Sequence, residues 1–217
     1  MFKKLTLITA LASSPIAANA DLLEFDWQTQ GDGDVTLDTD SGKLWLDLDV
    51  TANESIDGAR LRLQNDPALS YWRIPTLTEI YTLASNSFSD ITDPTKLIYN
   101  GRATAQETAN FSVFGQAVNN SGYTYGFYDN NGTSQLLGSD YGGGYYLNYQ
   151  LGNNTAYKRV YEGVYLVSDN YSVSIDESAI RSVAPNYNVS SPAVIGALSL
   201  FGLALSNRRK TRHNSKG

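Results

Sequence analysis

The chain changes from extended to helical structure within one stretch, Tyr71-Trp72-Arg73-Ile74-Pro75-Thr76-Leu77-Thr78-Glu79-Ile80. Pro75 biases the residue before it away from the helical region, so the first part of the stretch is predicted to be extended. Thr76 and Glu79 have the spacing of a capping box, in which the Thr hydroxyl accepts the Glu amide and the Glu carboxylate accepts the Thr amide. A helix is therefore predicted to begin here and to end near Ala84.

Trp72 and Arg73, in the extended part of this stretch, are interpreted as structural. We expect the indole of Trp72 to fill a core position, because a large ring with one polar atom suits a buried site. We expect Arg73 to pair with a carboxylate near a first helix, which is predicted over residues 54–64. Gly58 lies inside that helix and weakens its intrinsic propensity.

Strands are predicted on both sides of this helical region. Upstream, residues 22–28 alternate, and residues 43–50 place Leu44, Leu46, Leu48 and Val50 on one face with Trp45, Asp47 and Asp49 opposite. Downstream, residues 123–128 and 144–149 alternate, with a hairpin-type turn at Asp129-Asn130-Asn131-Gly132. Residues 163–167 read as a buried final strand.

The order of strands, two short helices and further strands predicts an α+β fold built on an antiparallel sheet. This domain is expected to occupy residues 21–170, with a polar linker over residues 171–188.

Composition excludes several classes of function. The chain has no cysteine, and its one histidine, His213, lies near the C-terminus, so cysteine chemistry, Ser-His pairs and His-metal sites are excluded from the domain. Residues 21–207 carry 9 Lys and Arg against 22 Asp and Glu, a net charge of −13. Such a surface repels phosphate backbones, so no nucleic-acid partner is expected.

Three groups of residues are candidates for a ligand site. Asp32, Asp34, Asp38 and Asp40 could supply oxygen ligands to calcium, although they lack the spacing and the closing Glu of a calcium loop. Because Asp beside Gly is typical of turns, turns are the preferred interpretation, and no metal or cofactor is predicted.

The other two groups concern catalysis and sugar binding. Asp47 and Asp49 would lie about 7 Å apart on one strand face, a spacing compatible with paired-carboxylate chemistry but generic to any strand, so no enzyme activity is predicted. Eleven of the 15 tyrosines lie between Tyr123 and Tyr171. These rings and Trp45 could stack on sugars. The alternative is that tyrosine is frequent here only because it has a high propensity for the β-strands of exported proteins.

The N-terminus has the pattern of a secretory signal peptide over residues 1–20. Lys3 and Lys4 precede an apolar stretch, and Ala18 and Ala20 have the spacing that signal peptidase requires, so cleavage is predicted before Asp21. The apolar stretch is too short to span a bilayer, which favours cleavage over retention as an anchor.

The C-terminus has three parts in sequence. Val189-Ser190-Ser191-Pro192 precedes a run of 13 residues that includes Ala193, Leu198, Phe201 and Leu205. The basic residues Arg208, Arg209, Lys210 and Arg212 follow. As a helix the run covers about 20 Å, against a hydrocarbon core of about 30 Å. The basic end is expected to stay cytoplasmic, which leaves the domain periplasmic and anchored at first to the inner membrane.

This layout, over residues 189–212, resembles the PEP-CTERM sorting signals of Gram-negative bacteria. Pro192 and Val189 match the motif best, while Ser191 stands where the family has Glu. The resemblance implies processing by an exosortase-type enzyme near the motif and transfer to the cell surface or the extracellular matrix.

The domain has a resemblance of its own. The Trp-Arg-Ile-Pro-Thr segment at residues 72–76 resembles DUF1566 or Lcl-type domains. Residues 42–48 and residues 165–168 resemble the first and last segments of the domains found in many PEP-CTERM proteins. The resemblance to DUF1566 or Lcl-type domains implies a C-type-lectin-like fold, but the chain has no Glu-Pro-Asn or Trp-Asn-Asp calcium motif. The expected function is a structural or adhesive component of the cell envelope, surface or matrix. The alternative is a carbohydrate- or calcium-binding module.

Overall fold

The computed structural model describes residues 22–115 and 122–169. The strands in chain order are β1 Leu22–Phe25, β2 Val35–Asp38, β3 Lys43–Leu46, β4 Ile98–Arg102, β5 Tyr123–Asn130, β6 Thr133–Asp140, β7 Gly144–Gln150, β8 Gly163–Val164 and β9 Leu166–Ser168. The α-helices are α1 Ile56–Asn65, α2 Leu77–Ser87 and α3 Ala105–Phe111. Short 3-10 helices at Pro67–Leu69 and Ser112–Phe114 follow α1 and α3.

The strands form two sheets. The first has the order β1-β2-β3-β9 and is antiparallel throughout. The second has the order β4-β7-β6-β5-β8 and is antiparallel except for the parallel pair β5–β8. The α+β class with antiparallel pairing is confirmed, whereas the expectation of one sheet and two helices is wrong. The third helix has its own capping box, in which Thr104 and Glu107 exchange hydrogen bonds.

The predicted final strand is in fact two strands in different sheets. β8 pairs with β5 in the second sheet, and β9 pairs with β3 in the first. Tyr165 lies between them with no exposed surface, and its amide and hydroxyl donate to the carbonyls of Phe127 (3.1 Å) and Leu137 (3.1 Å). One buried residue therefore joins the two sheets.

Two apolar clusters fill the interior, and both sheets contribute to each. The first contains side chains of α2 and α3 together with Trp45, Tyr145 and Tyr165. The second contains Ile56 and Ala59 of α1 together with Trp72 and Phe127. Because the first sheet contacts both clusters, it is buried on both faces.

This double burial corrects the prediction for residues 43–50. The strand ends at Leu46, because the amides of Asp47 and Leu48 donate to the carbonyls of Asp34 (2.9 Å) and Phe114 (2.8 Å) and the chain turns. Trp45 was placed opposite the core, but it is only 1% exposed and its ring packs against Phe114 and Tyr165. An alternating pattern cannot show that a second layer covers the other face.

The stretch that begins α2 has the predicted local geometry. Glu79 N donates to Thr76 Oγ1 (3.3 Å), and Thr76 N donates to Glu79 Oε2 (2.8 Å), so the capping box is confirmed. Trp72 is 5% exposed and packs in the second cluster, as predicted.

The expected partner of Arg73 was wrong. Its guanidinium donates to both oxygens of Glu79 in α2 (2.8 and 2.6 Å) and to Asp169 after β9 (2.8 Å), not to a carboxylate near α1. Lys43 contacts the same two carboxylates. The Arg73 and Val167 backbones also exchange two hydrogen bonds, which fix the start of α2 beside β9.

Glu79→Gln is expected to destabilise the fold by about 2 kcal/mol, because it removes charge-assisted hydrogen bonds from Arg73. Those bonds lower the pKa of Glu79 below its ordinary value. The stability they provide is present above the ordinary pKa of Glu and is lost as the pH falls through the lowered pKa. Urea unfolding of the purified full-length chain at pH 7 and pH 3 measures both effects.

Glu107→Gln is the matched control, because Glu107 closes the other capping box and bonds no Arg or Lys among the described residues. Glu107→Gln should lower the free energy of unfolding by less than Glu79→Gln does. Equal costs for the two variants at pH 7 would show that the contact with Arg73 adds nothing to the cap.

Candidate functional site

Several predicted sites lie outside the described residues. These are the cleavage site (Ala18, Ala20, Asp21), the linker, the motif at residues 189–192, the apolar run and the basic end. They remain predictions. Among the helices within residues 22–115 and 122–169, none is long and apolar enough to cross a membrane.

The acidic turns have structural hydrogen bonds. The Asp32 carboxylate accepts the amides of Trp27 (2.8 Å), Gln28 (2.9 Å) and Thr29 (2.7 Å). Asp38 accepts the amides of Asp40 (3.0 Å) and Ser41 (3.3 Å). The turn interpretation is therefore confirmed for Asp32 and Asp38. In the part of the chain that the structure describes, Asp32, Asp34, Asp38 and Asp40 do not form a group placed to hold a metal ion.

The carboxylates of Asp47 and Asp49 have different surroundings. Asp47 is 4% exposed and accepts the Thr36 hydroxyl (2.8 Å), and its burial raises its pKa well above the ordinary value. Asp49 is more exposed and lines a surface cleft with Asp34. The two residues follow the end of β3, so they are not on one strand face as predicted.

The aromatic residues separate into a buried and a surface group. Trp45, Tyr128, Tyr145 and Tyr165 are at most 2% exposed, so they are core residues and the suggested stacking of sugar on Trp45 is wrong. A second group of five tyrosines lies on one face of the second sheet, and we call it the tyrosine surface: Tyr99, Tyr123, Tyr125, Tyr146 and Tyr149. Tyr125, Tyr146 and Tyr149 are partly exposed and also pack against the second apolar cluster.

The rings of the tyrosine surface form a continuous row. Tyr123 stacks on Tyr125 with ring centroids 5.5 Å apart, and Tyr125 meets Tyr146 edge-on at 5.6 Å. Tyr146 contacts Tyr99 at 5.4 Å and Tyr149 at 5.8 Å, and Tyr99 lies 5.0 Å from Tyr149. The two end residues are the most open, with Tyr123 45% and Tyr99 63% exposed.

Gly138 brings the central rings together. It lies on β6 between Tyr125 of β5 and Tyr146 of β7, and directly paired residues share a face. A Cβ atom at Gly138 would lie 2.4 Å from the Tyr125 ring and 2.2 Å from the carbonyl oxygen of Thr124. The missing side chain is therefore what allows two rings from non-adjacent strands to touch.

Two bulges bring the remaining rings onto the same face. Between the pairs Gly138–Tyr146 and Leu136–Tyr149, β7 has one more residue than β6, and Asn148 there adopts a φ of 57°. Without this extra residue Tyr146 and Tyr149 would point to opposite faces. A second irregularity follows Tyr99 in β4, where Asn100 also has a φ of 57°.

Asn148 is held by a buried network. Its Oδ1 accepts the hydroxyls of Tyr128 (2.7 Å) and Tyr81 (3.1 Å). Its Nδ2 donates to the carbonyls of Pro94 (2.8 Å) and Lys96 (2.7 Å), just before β4. This one side chain therefore fixes the β7 bulge and the approach of the strand that carries Tyr99.

The phenols of Tyr125 and Tyr146, at the centre of the tyrosine surface, stay protonated at neutral pH. Burial and the charge of nearby Asp140 raise the pKa of Tyr125 and Tyr146 above the ordinary value. Each phenol is then both a donor and an acceptor beside an apolar ring. Such rings suit a ligand that alternates C–H faces with hydroxyl groups, which is the chemistry of a pyranose chain.

Sequence reasoning pointed to the region of Tyr123 to Tyr149 but missed Tyr99. Its strand, β4, has no clear alternation, and its bulge hides the register. The Tyr99-Asn100-Gly101 order, with Asn and Gly both tolerant of unusual backbone angles, is the only local signal that was available.

The chain matches no protein-family model, no curated protein and no solved structure.

Gly138→Ala is expected to destabilise the fold by about 2 kcal/mol, because the added methyl group must displace the Tyr125 ring or the β5 backbone. Thermal unfolding of the full-length chain measures the change. Gly142→Ala is the control: a Cβ atom there meets only the Asp140 carboxylate, at 3.1 Å. If the two substitutions have the same effect, the close approach at Gly138 is not the constraint described.

Proposed function

We propose that this chain is an exported, non-enzymatic protein of the cell envelope or surface, and that its tyrosine surface adheres to polysaccharide. The observation that carries the proposal is the row of five tyrosine rings spanning β4, β7 and β5. A row longer than one ring suits a polymer better than a single small molecule.

The geometry supports adhesion through ring faces and phenol hydroxyls. Tyrosine has only two side-chain torsions, so fixing a ring against a ligand costs little conformational entropy. The central rings of the tyrosine surface already contact one another, which lowers that cost further. Weak contacts repeated along a chain add up through multivalency, as an adhesive role requires.

The location rests on the two ends of the sequence. A signal peptide over residues 1–20 would deliver the domain across the inner membrane. The tail over residues 189–212 would hold it there with the domain periplasmic, until an exosortase-type enzyme passes it to the surface or matrix. The partners are then signal peptidase, that processing enzyme, the membrane and polysaccharide.

Two finer statements belong to this proposal. The C-type-lectin-like fold is supported by the segment Trp72 to Thr76, which leads from the first sheet's edge into a capped helix. The non-enzymatic role is supported by Asp47, whose carboxylate is buried against Thr36 and is not presented to a substrate beside Asp49.

Tyr99→Ala and Tyr149→Ala are each expected to weaken binding to polysaccharide about tenfold, a loss of about 1.4 kcal/mol, because each removes one ring of the row. The full-length protein in detergent would be tested on a glycan array that includes the exopolysaccharide of the producing cells. Tyr99→Ala should fold like the parent, because Tyr99 is 63% exposed on an edge strand. Tyr149 packs against the second cluster, so thermal unfolding of Tyr149→Ala must show that this variant is folded at the assay temperature.

Tyr71→Ala is the matched control, since Tyr71 is 52% exposed and lies outside the tyrosine surface. The parent protein and this variant should bind equally. The tyrosine surface would be ruled out as the site if Tyr99→Ala and Tyr149→Ala both bound polysaccharide as strongly as the parent protein. It would also be ruled out if Tyr71→Ala weakened binding as much as they do.

Processing is tested by the intact mass of the native protein after separation of inner membrane, outer membrane and medium. We expect a chain that begins at Asp21, lacks the residues after about Pro192 and is found outside the cell. A full C-terminus in the inner membrane would instead identify the tail as a plain anchor, and the matrix location would be wrong.

A further inference from the structure

A second candidate site lies away from the tyrosine rings. An open cleft of about 460 Å³ lies where the loop after β1 and the turn after β3 meet the end of α1. Its lining includes Trp27, Asp34, Asp49, Arg62 and Asp66. The volume is within the range of about 300–1,000 Å³ typical of small-molecule sites.

The positive charge in the cleft is already balanced. Arg62 donates to Glu54 Oε1 (2.9 Å) and to the Val50 carbonyl (2.9 Å), and its Nε lies 3.5 Å from Asp66 Oδ2. Arg62 is therefore held by two carboxylates and does not neutralise the acids on the other side of the cleft.

The other acids of the cleft have no counter-charge. Among residues 22–115 and 122–169, no Lys or Arg nitrogen lies within 4.0 Å of Asp34 or Asp49. Burial and repulsion from Asp32, Asp49 and Asp26 raise the pKa of Asp34 to about 6. At neutral pH the cleft therefore carries negative charge that a cation would stabilise.

A buried oxygen behind Asp34 reinforces this charge. Asp26 is 4% exposed, and its Oδ1 accepts the Gly33 amide (3.1 Å). Its Oδ2 is buried and has no hydrogen-bond partner among the described residues. Asp26 does not line the cleft, so it acts on the site through its repulsion of the Asp34 charge and not through contact with a ligand.

The cleft also offers an aromatic face. Trp27 is partly buried, with its ring edge-on to Trp72 at a centroid distance of 6.0 Å and its amide bonded to Asp32. An indole beside carboxylates is the arrangement that recognises an organic ammonium group, through cation–π attraction together with charge-assisted hydrogen bonds.

We infer that this cleft binds a primary ammonium group carried on a sugar-sized molecule, such as an amino sugar, with the ammonium between Asp34 and Asp49 and the ring against Trp27. A bare metal ion fits less well, because the described carboxylates do not form a group of three placed to hold one. This site is independent of the tyrosine surface.

The test uses D-glucosamine as the probe and the full-length chain in detergent, titrated at pH 7. D-Glucose and N-acetyl-D-glucosamine are the neutral controls, because they keep the ring and lack the ammonium. Asp34→Asn and Asp49→Asn are each expected to weaken glucosamine binding at least tenfold. Asp93→Asn removes the same charge at an exposed loop residue and should leave binding unchanged.

The pH dependence gives a second readout. The charged groups around Asp34 are Glu24 of β1, Asp26 and Asp32 of the next loop, Asp47 and Asp49 after β3, and Arg62 and Asp66 at the end of α1. As the pH falls from 7 to 5, Asp34 takes up a proton, so glucosamine affinity should drop several-fold. In Asp34→Asn this drop should largely disappear.

Folding of the variant can be checked independently. Because the folded-state pKa of Asp34 is raised, its contribution to stability is present at low pH and is lost as the pH rises through about 6. Asp34→Asn should therefore melt no lower than the parent at pH 7, and a loss of binding cannot then be attributed to unfolding.

Three results would overturn the inference. They are equal binding of glucosamine and glucose, binding that survives both Asn substitutions, and calcium binding at these carboxylates without glucosamine binding. Tyr99→Ala and Tyr149→Ala should leave glucosamine binding intact, so failure at this cleft and failure at the tyrosine surface are separate outcomes.

Discussion

The structure depends on the passage of the chain through Tyr165, which is buried between β8 of one sheet and β9 of the other. Two glycines allow the close packing around it: a Cβ atom at Gly126 would lie 2.4 Å from the Tyr165 ring, and one at Gly163, in β8, would lie 2.1 Å from the carbonyl oxygen of Leu48 in the turn after β3. The sheets can approach this closely only because these positions lack side chains. Since the chain has no cysteine, no disulfide joins the two sheets, and this packing holds them together instead.

In the tyrosine surface, too, a glycine leaves the space that aromatic rings fill. At Gly138 the absent side chain lets rings from β5 and β7 meet above β6. The other face of that sheet must meanwhile pack Tyr128, Tyr145 and Leu147 against the helices. The rings of the tyrosine surface are thus fixed from two sides, because Tyr125, Tyr146 and Tyr149 also pack against the second cluster on their own face. Asn148 links the β7 bulge to the opposite face through its hydrogen bonds to Tyr128 and Tyr81. A rigid aromatic row is a consequence of how this sheet is built.

Local rules predicted the local structure of this chain. Capping at Thr76, the turn at Asn131-Gly132 and the burial of Trp72 each follow from a few neighbouring residues and are present in the structure. The predictions of burial and register were wrong where contacts with a distant segment of the chain determine the structure. Trp45 is buried because α2, α3 and the crossing at Tyr165 cover its face, and the register of β7 depends on a bulge that Pro94 and Lys96 help to hold. The segments that cover Trp45 and that hold the β7 bulge lie far from these residues in sequence, so no periodic pattern could reveal them.

The acidic residues of the chain form two groups that differ in their hydrogen bonds and in the direction of their pKa shifts. Asp32, Glu79 and Glu107 accept backbone amides at turns and helix starts, and the pKa of each is lowered. The amides lower it for Asp32 and Glu107, whereas for Glu79 the main cause is the hydrogen bonding to Arg73, because each of these bonds favours the charged form. Asp34 and Asp49 show the opposite direction, because burial opposes their charge and nearby acids repel it. Charge of the first kind stabilises the fold, and it accounts for part of the net charge of the domain without any ligand. Charge of the second kind destabilises the folded protein. Groups whose surroundings oppose their charged form are more typical of functional sites than of structural ones. The acids of the cleft beside Trp27 are therefore the ones for which we infer a ligand, whereas Asp32, Glu79 and Glu107 stabilise turns and helix starts.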